Sequence, residues 1–270
     1  TGYAYNEEGL KWLRDNWHLQ LIRAATPIDS PTGVLSAPTV IAKNKKKLEV
    51  IIRIAAKLGI YVLVDLHSHH ASEHLEEARS FFDEISKTYG HLANVIYEPF
   101  NEPLHVSWSD VLKPYHEKII RTIRDNGSKN VIVLGTPEWC QNVDEAARDP
   151  LPEPNVMYTL HFYACEHDGW LRDKADAALA RKLPIFVTEW GATFADGGVK
   201  DKLVCSNVPG FWVNPSTKIS QLRSMTGDDW HAWMNTSKIS WAAWKLDDCL
   251  DASCFFKPGA PVNGGWTDEW

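Results

Sequence analysis

Short, nearly unbroken apolar runs recur along the chain. Each is followed by a polar stretch and then by a segment with apolar residues at three- and four-residue spacing. The runs lie at 19–25 (LQLIRAA), 60–66 (IYVLVDL), 94–98 (NVIYE), 130–135 (NVIVLG), 156–162 (VMYTLHF), 184–189 (PIFVTE) and 239–245 (ISWAAWK). Runs that are apolar on both faces are expected of parallel strands, covered by helices on one side and packed inward on the other. The amphipathic segments predict helices over 7–16, 42–58, 74–89, 109–125, 169–182 and 216–235. Glycine or asparagine closes several of them just before the next run, as in KLGIY and RDNGSKNVIV. Strand and helix in alternation predict an α/β fold with a parallel sheet.

Length turns this alternation towards a closed sheet. A chain of 270 residues suits one (β/α)8 TIM-type barrel of roughly 250 residues. No repeat, low-complexity tract or linker divides it, so residues 1–270 are expected to form a single domain. The pattern shows one strand fewer than the eight a barrel of this type requires. The first strand is therefore expected either to be squeezed into residues 1–5 or to be missing. A doubly wound open sheet is the alternative. Its dinucleotide-binding form has no support, because no G-x-G-x-x-G follows the first run.

Composition narrows the partners. The formal net charge is −7 and no long basic run occurs, which argues against nucleic acid and anionic membrane surfaces. KNKKKLE at 43–49 reads as a solvated helix start. No apolar run reaches 18 residues, so no membrane span is expected. The chain carries no signal peptide and no initiator Met, and reads as a processed product. Five cysteines occur without a CxxC pair or a zinc-like Cys/His spacing. Cys249 and Cys254 are close enough to pair, the odd count leaves at least one thiol over, and the expectation is a secreted monomer. Thirteen tryptophans are an unusual number; indoles fill cores, and they also stack on the apolar faces of sugar rings.

In a parallel barrel the site lies at the carboxyl ends of the strands. The runs end, in order, on Arg23, on Asp65 and His67, on Asn101 and Glu102, on Glu138 and Trp139, on His161 and Tyr163, on Glu189 and Trp190, and on Trp244. Two glutamates stand out: Glu102 in YEPFNEP and Glu189 in FVTEWG. Two carboxyl groups tuned apart by burial and neighbouring charge supply an acid and a nucleophile, the pair that glycoside hydrolysis uses. Alternatives stay open at this point. Either glutamate alone could cap the next helix. His67, His69, His70 and His74 could contribute to a zinc site, although H-E-x-x-H and its relatives are absent. No G-x-S-x-G elbow supports a serine nucleophile, and a cysteine nucleophile would be Cys140 or Cys165 beside His161. No metal or cofactor is required by the two-carboxylate reading.

VLVDLHSH, NVIYEPFNEP, VIVLGTPEW, YTLHFYA, PIFVTEWG and ISWAAWKL resemble, in order and spacing, the strand-end motifs of glycoside hydrolase family 5, especially its bacterial and invertebrate endo-β-1,4-glucanases. The resemblance runs from Asn6 to Trp266. It implies a (β/α)8 barrel, a polysaccharide substrate and a double displacement that retains anomeric configuration. Position by position it implies Glu102 as acid/base and Glu189 as nucleophile. It gives Asn101 the substrate 2-hydroxyl and Arg23 the support of the nucleophile. His67, His161 and Tyr163 fall around the carboxylates, Trp244 becomes the floor of a sugar subsite, and Trp139 looks like a second platform. A carboxylate separation of about 5–5.5 Å is then expected. Pro99 and Glu138 depart from the family pattern, and 205–218 (CSNVPGFWVNPSTK) is not placed by it. A hemicellulase acting on mannan, glucomannan or xylan, or a sugar-binding protein with little turnover, would share most of these features.

Overall fold

The computed structural model describes residues 6–27, 38–195, 227–247, 249 and 253–256. Seven parallel strands form one sheet in chain order: β1 (Leu21–Pro27), β2 (Tyr61–His67), β3 (Val95–Glu98), β4 (Ile132–Leu134), β5 (Val156–Tyr163), β6 (Ile185–Gly191) and β7 (Trp241–Ala243). The sheet curls until β1 approaches β7, and Arg23 on β1 reaches Glu189 on β6. The result is a nearly closed (β/α)8-type barrel with one strand fewer than eight among the described residues. Residues 1–5, where a first strand was sought, and segment 205–218 lie outside those residues.

The connecting helices are α1 (Glu7–Trp17), α2 (Pro38–Leu58), α3 (Leu75–Tyr89), α4 (Lys113–Asp125), α5 (Pro137–Cys140), α6 (Val143–Arg148), α7 (Gly169–Ala180) and α8 (Gly227–Thr236). Their placement follows the pattern read from the sequence to within a few residues at most ends. The predicted start of the last helix, 216–226, lies outside the described residues. Helix α1 begins where the Asn6 side chain accepts from the Glu8 N–H, and it buries Leu10 and Leu13 against the sheet. Two short helices, α5 and α6, escaped the sequence pattern, being too short to show a helical period. Cys249 and Cys254 are disulfide-bonded, and Cys140 is a buried thiol.

Period-two alternation divides the apolar residues into two layers. Val62, Val64 and Leu66 of β2 face outward into a large core shared with the helices. Leu63 faces inward and meets Ile96, Val133 and Phe186 in a separate apolar plug, flanked by Leu21, Val131 and Met157. The register sets Leu63 against Ile96 and then Asp65 against Glu98. The inward faces of the strands therefore change from apolar to charged one step nearer their carboxyl ends, and the site rests on that plug.

Between β5 and β6 the ladder slips: Thr159 pairs with Phe186, but His161 pairs with Glu189. One extra residue is accommodated on β6, a β-bulge. The side chains of consecutive Thr188 and Glu189 both reach groups of the inner charged layer as a result.

Helix α4 docks through a buried imidazole. His116 Nε2–H donates to the Gly135 carbonyl at 2.9 Å, while Nδ1, without a hydrogen-bond partner, lies among the rings of Trp108 and Tyr115. Burial holds its pKa down to about 4, against a small opposing effect of the Gly135 bond. The unfolded chain, near 6.5, takes its proton first as pH falls. Stability present above about pH 6.5 should thus decline towards pH 4, by about 3 kcal/mol in all. Urea unfolding between pH 4 and 7 should show a steeper decline for the native chain than for His116→Gln. Parallel curves would mean the imidazole is not held neutral.

Candidate active site

Arg23 organises the inner charged layer. Its Nε donates to Glu98 Oε2 at 2.6 Å and its Nη1 to Glu189 Oε2 at 2.7 Å. Nη2 donates to Asn101 Oδ1 at 2.7 Å and lies 3.0 Å from Asp65 Oδ2. A buried guanidinium is tolerated only when paired in this way. Burial opposes its charge, but the carboxylates of Asp65, Glu98 and Glu189 prevail, and Arg23 holds its proton well above the usual arginine range.

Glu189 accepts on both oxygens. Oε1 takes the Tyr163 hydroxyl at 2.6 Å while Oε2 takes Arg23. Burial alone would raise its pKa. The positive charges of His161, Arg23 and His67, with the tyrosine bond, outweigh that and bring it down to about 2. Tyr163 keeps its proton because burial and the Glu189 charge push its pKa well up. The tyrosine ring lies so close over β6 that a Cβ at Gly191 would sit 2.8 Å from it, so only glycine admits this approach.

Glu102 follows β3 and keeps its side chain 15% exposed, open to the cleft. Its Oε1 is 2.9 Å from His161 Nδ1. One oxygen of Glu102, one of Glu189 and a ring nitrogen of His161 lie within 4.8 Å of one another. Burial opposes a charge on His161, yet its bond to Glu102 and the nearby carboxylates of Glu98, 3.9 Å away, and Glu189 raise its pKa to about 9. The carboxylates predicted to face each other therefore do so, with one of them held firmly ionised.

The remaining residues frame this pair. His67 Nδ1 meets Asp65 Oδ2 at 2.8 Å, and its ring lies parallel to Trp244, centroids 5.4 Å apart and 1° between planes. Burial opposes the His67 charge, but Asp65 wins and raises its pKa. Trp244 follows β7 and has the Arg23 guanidinium 5.9 Å from its ring centre. Trp139 stands on the rim, 37% exposed. Glu138, Trp139 and Cys140 all have left-handed backbone, with φ of 56°, 52° and 62°. Such strain in non-glycine residues costs about 1–3 kcal/mol each and persists only where neighbours enforce it. Here Glu138 N–H donates to Leu104 O, Trp139 N–H to Pro103 O, and the Cys140 thiol to Asn101 O. Trp139 is thereby tied to the loop that carries Glu102.

Some strand-end residues do not belong to the pair. Trp190 packs outward on Phe162, centroids 5.6 Å apart, because it alternates with Glu189. Glu138 pairs with His105 on the rim at 2.8 Å. His69, weighed above only as a contributor to a zinc site, has its Nδ1 3.0 Å from the Glu102 carbonyl oxygen. No potential metal-holding group among the described residues includes His67, His69, His70 or His74. The sequence reading gave no role to Asp65 or Glu98, and missed Thr188 altogether. The two-residue alternation Leu63, Asp65 and Ile96, Glu98 would have marked both acids as inward, and Phe186, Thr188 would have marked the threonine; nothing in the sequence marks the bulge that brings Glu189 inward beside it.

A profile of the cellulase family, described as cellulase (glycosyl hydrolase family 5), matches residues 1–249. Endoglucanase A of Evansella cellulosilytica is 38% identical over 98% of this chain and 50% of its own length. A solved structure from Cytophaga hutchinsonii superimposes with TM-score 0.84 at 36% identity, covering 99% of this chain and 79% of that one. The catalytic domain of a Thermobifida fusca endoglucanase in complex with cellotetraose gives TM-score 0.82 at 25% identity, covering 99% and 84%. The chain spans about half the length of the curated relatives it matches.

Proposed function

The chain belongs to glycosyl hydrolase family 5, and on that footing we propose that it cuts internal β-1,4-glucosidic bonds of cellulose or a related β-glucan with retention of configuration. The observation that carries the proposal is the approach of Glu102 and Glu189 to within 4.8 Å, oxygen to oxygen. Retaining enzymes need a gap that one sugar carbon bridges, whereas inverting ones leave room for a water, with groups about 6.5–9.5 Å apart. The asymmetry of the pair supplies the roles. Glu189, held ionised by the Arg23 guanidinium and the Tyr163 hydroxyl, attacks the anomeric carbon and forms an ester as the glycosidic bond breaks. Glu102, open to the cleft, gives its proton to the departing oxygen. A water then attacks the same carbon, Glu102 takes the proton, and Glu189 leaves as carboxylate.

Binding follows from the frame. Arginine only donates, so Asn101 must turn Oδ1 to Arg23, leaving Nδ2 to donate to a substrate hydroxyl. Trp244, backed by His67, and Trp139 offer flat faces to sugar rings on either side of the cut. His161 and Tyr163 hold the two carboxylates. We take residues 1–270 as one catalytic domain acting as a monomer outside the cell. The Cys249–Cys254 disulfide fits an oxidising compartment, and no helix among the described residues is long and apolar enough to cross a membrane.

Carboxymethylcellulose, glucomannan, mannan and xylan assayed for new reducing ends should rank the glucan first. Proton NMR of early products from a soluble cello-oligosaccharide should show the β-anomer before mutarotation. Faster release from mannan or xylan would reassign the substrate to hemicellulose, an early α-anomer would refute retention, and no product from any polymer would indicate a sugar-binding protein.

A further inference from the structure

Two buried groups have no part in the scheme above. Glu98 closes β3 and Thr188 sits in the β6 bulge, at 0% and 1% exposure. Glu98 sends its two oxygens opposite ways. Oε2 accepts from Arg23 Nε, and Oε1 accepts the Thr188 hydroxyl. The Thr188 oxygen is in turn 2.8 Å from His161 Nε2 and bonded to the Thr159 hydroxyl. A hydroxyl owns one proton. Arg23 leads the groups that, against burial, hold the Glu98 pKa down, so Glu98 is a carboxylate and takes that proton. His161 Nε2 must then be the N–H partner, donating to Thr188. Only Nδ1 is left to gain or lose a proton, and Nδ1 faces Glu102 Oε1. It accepts when Glu102 is the acid and donates when Glu102 is the carboxylate.

We propose that Glu98 is a positioning residue that serves both catalytic glutamates at once, steadying Glu189 through Arg23 and Glu102 through Thr188 and His161. This rests on the assignment of Glu102 and Glu189 made above. One buried carboxylate thus anchors the two arms of the site, and neither arm touches substrate through it. The charged and titratable groups around this chain are Arg23 from β1, Asp65 and His67 from β2, Glu102 beyond β3, Cys140 from α5, Tyr163 beside His161 on β5, and Glu189 from β6. Removing a fixed negative charge beside them makes every neighbour release its proton more readily.

The test is the pH–rate profile of Glu98→Gln, a nearly isosteric change, on a soluble cello-oligosaccharide. Both limbs of kcat/KM should move to lower pH, the basic limb by about one unit. Thr188→Val keeps the Glu98 charge and cuts the connection to His161. It should lower kcat by about 10- to 100-fold with little change in KM, and Thr188→Ser should restore most of the loss. A folded Glu98→Gln whose profile superimposes on the native one would overturn the proposal. So would native kcat in Thr188→Val, or failure of Thr188→Ser to recover; these two decide the matter should Glu98→Gln not fold. Glu102→Gln and Glu189→Gln assayed alongside separate the levels. Native rates in those two would refute the site assignment itself, whereas their loss beside an unshifted Glu98→Gln would refute the positioning role alone.

Discussion

Glu189→Gln should lower turnover of carboxymethylcellulose by at least about 10⁴-fold while leaving the fold and oligosaccharide binding nearly intact. The amide has the shape of the carboxylate. Its carbonyl oxygen can still accept from Arg23 while its NH2 donates to the Tyr163 oxygen, the two groups that hold the native side chain at 2.7 and 2.6 Å. What it loses is the negative charge that makes a side-chain oxygen a nucleophile and lets a neutral ester form at the anomeric carbon, and with it the double displacement. Arg23 keeps Glu98 and Asp65 as partners, so loss of one negative charge should cost little stability. Kd for a cello-oligosaccharide, measured by calorimetry, should stay within a few-fold, placing the whole effect on kcat. A rate within about 10-fold of native would remove Glu189 from the chemistry. A lost rate accompanied by lost binding and lowered thermal stability would point instead to a structural role, and the nucleophile would have to be sought elsewhere.

How much of this was legible in the sequence depends on which physical rule each residue obeys. The strands were legible because each is a near-continuous apolar run, and Glu102 and Glu189 because each follows such a run where a barrel places its site. The same end-of-run rule also picked up Trp190, because position along a strand says nothing of which face a side chain takes. Alternation does carry that information where the strand is regular: it would have flagged Glu98 as the inward partner of Asp65, but it assigns Trp190 to the same face as inward Phe186, and only the bulge between them turns Trp190 outward. Counted from inward Phe186, Thr188 also falls on the inner face; what was beyond reach is that its neighbour Glu189 faces inward beside it, since the bulge that allows this depends on how β5 and β6 share their ladder. The left-handed turn under Trp139 was equally hidden. Glu138, Trp139 and Cys140 are not residues that announce positive φ, and tertiary bonds to Leu104, Pro103 and Asn101 impose it.

Glu102→Gln should slow polysaccharide cleavage by about 10²- to 10⁴-fold, and the size of the loss should depend on the leaving group. A sugar hydroxyl leaves poorly unless it receives a proton as the bond breaks, so the variant should stall at the first step on cellulose. A 2,4-dinitrophenyl cellobioside has a leaving group stable as an anion and should acylate Glu189 at nearly native speed, giving a burst of the phenol. The second step should then be slow, because water has no base to take its proton. Azide is already an anion and requires none. With Glu102→Ala, which also clears space and removes the repelling carboxylate, added azide should accelerate turnover and give the β-cellobiosyl azide. Glu189→Ala should give no β-azide under the same conditions: its vacancy lies on the opposite side of the anomeric carbon, so any azide adduct would be α. The two variants thus assign the two glutamates by product stereochemistry. Equal losses of Glu102→Gln on good and poor leaving groups, or azide without effect on Glu102→Ala, would strip Glu102 of the acid/base role even though it stands within 4.8 Å of Glu189.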